Sequence, residues 1–159
     1  MKKFTTADAE ITMELGRKTG EWISRSGKGF TLALTGDLGT GKTCFVQGLA
    51  RGLGVNEGYY ITSPTFNIIN EYPAGEMRLL HLDLYRLGEA GELEYLGFEE
   101  LLGDDAVVAV EWPGLLIETG FEFDLRLDFQ FDENFNREIS LFPSGQAGSN
   151  LLSNVFHKN

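Results

Sequence analysis

The sequence predicts an α/β fold of three layers around a mixed, partly antiparallel sheet. Two short runs, Phe30 to Leu34 (FTLAL) and Ala106 to Val110 (AVVAV), are apolar throughout, as strands buried on both faces are. The segments around them carry apolar residues at helical spacing. The region after them alternates apolar with polar residues, as a strand does when one face meets water.

In order along the chain, Ile11, Leu15 and Trp22 recur between charged residues from Asp8 to about Arg25, which predicts an amphipathic first helix broken by Gly27 to Gly29. The FTLAL strand follows and ends in Gly36. Thr43 to Leu53 place Phe45, Val46, Leu49 and Ala50 on a second helix closed by Gly52 and Gly54. Thr65 to Tyr72 and Met77 to Leu84 read as a hairpin around Pro73 to Glu76, so part of the sheet is antiparallel. Glu89 to Asp104 read as one or two short acidic helices interrupted near Gly97, and AVVAV is the second buried strand. Phe121 to Phe131 alternate as a half-exposed antiparallel strand, and Arg137 to Phe142 return beside it. Residues 143–159 are rich in Gly, Ser and Asn and are expected to form a flexible tail, in which Leu151, Leu152, Val155 and Phe156 could make one docking turn.

The chemistry concentrates between the first strand and the second helix. Gly36-Asp37-Leu38-Gly39-Thr40-Gly41-Lys42-Thr43 satisfies G-x-x-x-x-G-K-[ST] in the strand-to-helix setting that a phosphate-binding loop needs. Glycines there let the backbone take positive φ and approach phosphate oxygens, and successive N–H groups and the helix N-terminus supply partial positive charge. Lys42 would reach the β- and γ-phosphates of ATP and Thr43 would ligate Mg²⁺. This makes the chain a P-loop NTPase-like protein over residues 1–142.

Such a loop works with a carboxylate at the end of a neighbouring buried strand. Asp83, closing LLHLD, and Glu111, closing VVAVE, both qualify; each could instead cap a following turn or helix. His81 suits either a hydrogen-bonded core position or a catalytic one. Thr65, in Thr62-Ser63-Pro64-Thr65-Phe66, could orient water or approach the metal as part of a segment sensing the γ-phosphate, and the same residues also suit an ordinary Ser-Pro turn. Trp112 could be exposed beside the nucleotide or at a partner surface, or could pack in the core.

A formal net charge of -11 opposes direct binding to a nucleic-acid backbone. One cysteine, Cys44, leaves no intramolecular disulfide, and two histidines leave no zinc cluster of the usual spacing. Polar residues after Lys2 and Lys3 do not make a signal peptide, and no apolar run approaches a membrane span, so a cytoplasmic protein is expected.

The order of motifs, GDLGTGKT at Gly36 to Thr43, TSPTF at Thr62 to Phe66, HLDLYRL at His81 to Leu87 and EWP at Glu111 to Pro113, resembles the TsaE (YjeE) family of bacterial ATPases needed to form threonylcarbamoyladenosine in tRNA. That likeness implies ATP and Mg²⁺ binding, weak hydrolysis, and work in a complex with TsaD and TsaB that meets tRNA only through those partners. It implies Thr43 and Glu111 as metal ligands, Asp83 near the metal, Thr65 in a switch-like segment, and Thr12 and Arg137 at the border of the nucleotide. A small-molecule or nucleotide kinase could use the same loop, but Arg51, Arg78 and Arg86 are too scattered to suggest the arginine-rich lid of such enzymes. A GTPase-like switch would need the N-K-x-D signature that reads guanine, which the sequence lacks.

Overall fold

The apolar runs of the sequence become the middle of a seven-stranded sheet. The computed structural model describes residues 1–89 and 91–156. The chain runs β1 (Lys2–Thr6), α1 (Ala9–Ser26), β2 (Phe30–Thr35), α2 (Lys42–Leu53), β3 (Ile69–Ala74), β4 (Met77–Asp83), α3 (Gly91–Leu96), α4 (Phe98–Leu101), β5 (Ala106–Glu111), α5 (Gly114–Glu118), β6 (Leu125–Phe131), β7 (Arg137–Pro143) and α6 (Gly145–Val155). The strand order is β1-β7-β6-β2-β5-β4-β3. β2 runs parallel to β5 and β6, and β5 parallel to β4. Antiparallel pairs close both ends of the sheet. The mixed sheet is therefore as the sequence predicts, except that β6 is antiparallel only to β7.

Period-two alternation splits the buried residues between two cores. On β5, Val107 and Ala109 join the core that includes Phe45, Leu49, Leu151 and Phe156 of α2 and the α6 region, while Val108 and Val110 join Leu93, Phe98 and Leu116 on the other face. Three layers result.

α1 begins at Asp8, whose side chain accepts from the Ile11 amide at 3.0 Å, and stops at Gly27, which takes the left-handed φ of 66°. Its contact with α2 is backbone-close. A Cβ on Gly48 would stand 1.9 Å from the Met13 carbonyl oxygen, and one on Gly16 2.2 Å from that of Phe45. Gly48→Ala is therefore expected to destabilise the protein by about 1–3 kcal/mol, through overpacking at a contact that cannot yield without parting the helices. Urea unfolding checks this, and an unchanged midpoint would overturn it.

The hairpin turns at Gly75 and Glu76, two residues later than the expected turn begins, because Ala74 pairs with Met77 and Pro73 with Arg78. Pro73 is tolerated because β3 is an edge strand, where its missing N–H disrupts no second ladder. The preceding strand starts at Ile69 rather than Thr65, since residues 63–68 turn back towards Asp83. β1 and α5 were not legible: KKFTT is a polar edge strand, and α5 has only five residues.

The expected flexible tail over 143–159 is corrected for Gly145–Val155, which form α6. Leu151 and Phe156 are buried, the Phe156 ring stands 5.3 Å from that of Phe4, and Lys2 Nζ donates to the Phe156 carbonyl at 2.5 Å. Apolar contacts repeating along one helix face outweigh the polar composition that suggested disorder. Residues 157–159 of the expected tail, and Ala90 of the expected acidic helices, lie outside the described residues. Among the described residues no helix is long and apolar enough to cross a membrane.

Candidate active site

Parallel β2 and β5 end side by side, with Leu34 opposite Glu111, and Asp83 of β4 lies opposite Glu111 in turn. The register alone therefore delivers both carboxylates to the edge of the sheet where the chain leaves β2 for the glycine-rich loop. That loop takes φ of 137° at Gly36, 80° at Gly39 and 107° at Gly41, all costly for a residue with a Cβ. Gly41 caps α2 without a side-chain hydrogen bond, so the first amides of the helix stay available to a ligand.

Lys42 is 5% exposed. Its ammonium donates to the carbonyls of Gly36 and Asp37, the latter at 3.3 Å, and stands 4.4 Å from the centre of the Trp112 ring. Burial pushes its pKa below the ordinary lysine value, against the partial support of Glu111, Asp83 and Asp37. Among the described residues no carboxylate forms an ion pair with it. The site thus holds a desolvated cation that added negative charge would stabilise.

Asp83 is buried and fully engaged. Oδ2 accepts from Ser63 Oγ at 2.7 Å and Thr65 Oγ1 at 3.3 Å, and Oδ1 accepts from the Tyr85 amide at 2.9 Å. Its own amide donates to the Ile68 carbonyl at 2.9 Å, so one residue fastens the 63–68 segment at both ends. Glu111 is 3% exposed, and its Oε2 lies 2.6 Å from Nε2 of the fully buried His81. Among the described residues Nδ1 of that ring has no partner. His81 therefore holds Glu111 from behind the cleft.

Lys42, Thr43, Thr65, Asp83 and Glu111 line one cleft of about 400 Å³, together with Leu38, Gly39, Gly41, Arg137 and Trp112. Arg137 arrives from β7 and drapes over Gly41, where a Cβ would meet its Cδ at 3.1 Å. Asp37 and Thr40 shape the loop rather than line the cleft: the Asp37 carbonyl accepts from Thr40 Oγ1 at 2.7 Å. Thr12 is not brought there. It is buried in α1, its hydroxyl 2.9 Å from that of Thr6, because that face of the helix packs inward.

Ser63 and Tyr85 also reach the cleft, and sequence reasoning did not single them out as site residues. Their signal lay in the motifs: Ser63 precedes Pro64, and Tyr85 follows Asp83 by two. Trp112 takes φ of 55°, strained for a side chain of its size, and its ring lies 5.0 Å from that of Tyr85. That twist turns the indole onto the cleft wall instead of the core.

The model of the family described as "Threonylcarbamoyl adenosine biosynthesis protein TsaE" matches residues 6–139, a span containing every motif at the cleft. The chain belongs to the TsaE family. A TsaE relative from Synechocystis is named tRNA threonylcarbamoyladenosine biosynthesis protein TsaE and is 45% identical over 115 residues, 70% of this chain and 69% of that one. A relative of the same name from Bacillus subtilis is 40% identical over 143 residues, covering 90% of this chain and 86% of its own. The crystal structure of Bacillus subtilis YdiB superposes with a TM-score of 0.73 at 30% identity, over 98% of this chain and 93% of that one. The fold of this TsaE family member is thus the P-loop NTPase-like α/β fold that the sequence predicts.

Proposed function

We propose that this protein binds ATP and hydrolyses it weakly as an accessory to N6-threonylcarbamoyladenosine formation in tRNA, in complex with TsaD and TsaB in the cytoplasm. The observation that carries the reading is the convergence of Lys42, Thr43, Asp83, Glu111 and Thr65 on one cleft beside an uncapped helix N-terminus. The names of its relatives, tRNA threonylcarbamoyladenosine biosynthesis proteins, support the pathway.

The residues suit ATP and Mg²⁺. A buried ammonium without an ion pair calls for an anion, and Gly39, Gly41 and Thr43 line the same cleft at the uncapped start of α2. Among the described residues no three His, Cys, Asp or Glu side chains could hold a metal by themselves, as suits an ion that completes its shell from phosphates and water. Bound Mg²⁺-ATP would supply the transferable phosphoryl group and the charge neutralisation it requires. Thr43 and Glu111 would hold the metal with Asp83 beside them. Lys42 would bind the phosphates, and Asp83 would keep Thr65 and Ser63 turned towards them. Arg137 would border the nucleotide.

Among the described residues, Arg137 is the one arginine on the cleft wall, and no histidine lines it. A site so sparse in groups that act on a transferring phosphoryl should turn over slowly until a partner completes it. With a net charge of -11, tRNA would be met through those partners. Steady-state phosphate release tests the reading, from the protein alone and with TsaB, TsaD or both. Both partners together are expected to raise turnover at least about tenfold. Fast turnover alone that partners leave unchanged would favour a kinase, which phosphorylation of a supplied acceptor would reveal.

A further inference from the structure

The face of the sheet opposite α1 and α2 is thinly covered. α3, α4 and α5 have only six, four and five residues, and with Phe123 they bury Leu80, Val108 and Val110 beneath a single short layer. They leave between them a groove of about 480 Å³, with Phe98, Leu116 and Phe121 on its apolar side and Glu94, Glu99 and Glu100 on its rim. It shares no lining residue with the nucleotide cleft. The helices that wall it also present Tyr95 at 97% exposure and Ile117 at 43%.

The charge around this groove is of one sign. Between Arg86 and Arg126 the chain has eleven Asp and Glu residues and no Lys or Arg. Glu94, Glu99 and Glu100 are exposed, and among the described residues none forms an ion pair. Carboxylates around a low-dielectric concavity focus a negative potential into it. Glu94, Glu99 and Glu100 stand in the first turns of α3 and α4, where negative charge favours the helix ends, and a ligand with cations flanking an apolar group would relieve the repulsion among them while covering the half-buried Phe121. The same field repels a nucleic-acid backbone and an anionic bilayer. A second copy of this chain, at net -11, would be repelled too.

We propose that this groove is a docking site for a basic, amphipathic segment of a partner protein, which seats an apolar side chain against the half-buried Phe121 and sets Lys or Arg against Glu94, Glu99 and Glu100. The inference deepens the reading that the protein works in a complex, but it needs no particular partner.

The probe is a synthetic helical peptide of Leu and Lys, titrated onto the full chain. One variant, Glu99→Lys with Glu100→Lys, reverses the rim. Another, Gly91→Trp, adds bulk at the groove's lining without changing charge; among the described residues, chain neighbours aside, nothing lies within 4 Å of where a Cβ at Gly91 would stand. The control, Glu57→Lys with Glu76→Lys, makes the same charge change at exposed positions elsewhere. Both groove variants are expected to weaken the probe at least about tenfold and the control less than about twofold, with ATP affinity and basal hydrolysis unchanged in all three. Equal losses in control and rim variant, or full binding by Gly91→Trp, would overturn the proposal. Recovery of TsaD and TsaB by the unaltered chain is scored separately and bears on the earlier reading alone.

Discussion

Lys42→Ala is expected to lower ATP hydrolysis at least about 10²-fold and to weaken nucleotide binding, with the fold retained. The ammonium is the one lysine charge on the cleft wall, and its stem is buried so that the charge cannot be replaced by a neighbour swinging in. Arg137 also lines the cleft, but it comes from β7 and lies over Gly41 rather than at the start of α2, where Lys42 stands. Stability should not fall with activity. Burial places the folded pKa of Lys42 below its unfolded value, so the charged lysine costs the native state stability at neutral pH. That cost is fully present below the folded pKa and shrinks as pH rises through it. Removing the side chain removes the cost. Phosphate release, a fluorescent-nucleotide titration and a thermal melt check this together, and a parental rate of hydrolysis would overturn the loop's assignment.

Where a single stretch of chain carried the information, the sequence was readable. The GDLGTGKT loop contains its own glycines, lysine and hydroxyl, and its flanking strand and helix show in FTLAL and in the spacing of Phe45, Val46 and Leu49. The partners of those residues were readable only as candidates, because pairing register decides them. Asp83 and Glu111 competed in the sequence, yet opposite positions on parallel strands put both at the cleft. Trp112 was ambiguous because a backbone torsion of 55° directs it, and nothing in its residue type announces that torsion. The setting of Thr12 was hidden too, since its hydroxyl meets that of Thr6, part of a strand too polar to recognise. The α6 helix failed on composition: Gly, Ser and Asn outnumber the few apolar residues that hold it, and those residues matter because a core was waiting for them.

The two carboxylates should fail in different ways when removed. Glu111→Gln is expected to raise the Mg²⁺ concentration needed for nucleotide binding at least about tenfold, because it removes the charge while an amide can still meet His81. His81 already engages one oxygen, and among the described residues the other has no hydrogen-bond partner, which leaves it available to a metal. Glu111→Ala should do the same and cost stability besides, by about 1–3 kcal/mol, since the fully buried His81 ring would lose its partner at Nε2 when Nδ1 already has none. Asp83→Ala is expected to act on turnover instead, by about 10²-fold, with a smaller change in nucleotide affinity. Both Asp83 oxygens are occupied, by Ser63, Thr65 and the Tyr85 amide, so its loss frees the segment that carries Thr65 without removing the loop or Lys42. Titrating Mg²⁺ against a fixed nucleotide concentration, and measuring phosphate release at saturating Mg²⁺, separates the two effects. If Asp83→Ala shifted the Mg²⁺ requirement more than Glu111→Gln did, the two roles would be exchanged, and the hydrogen bonds to Ser63 and Thr65 would have to give way when the metal arrives.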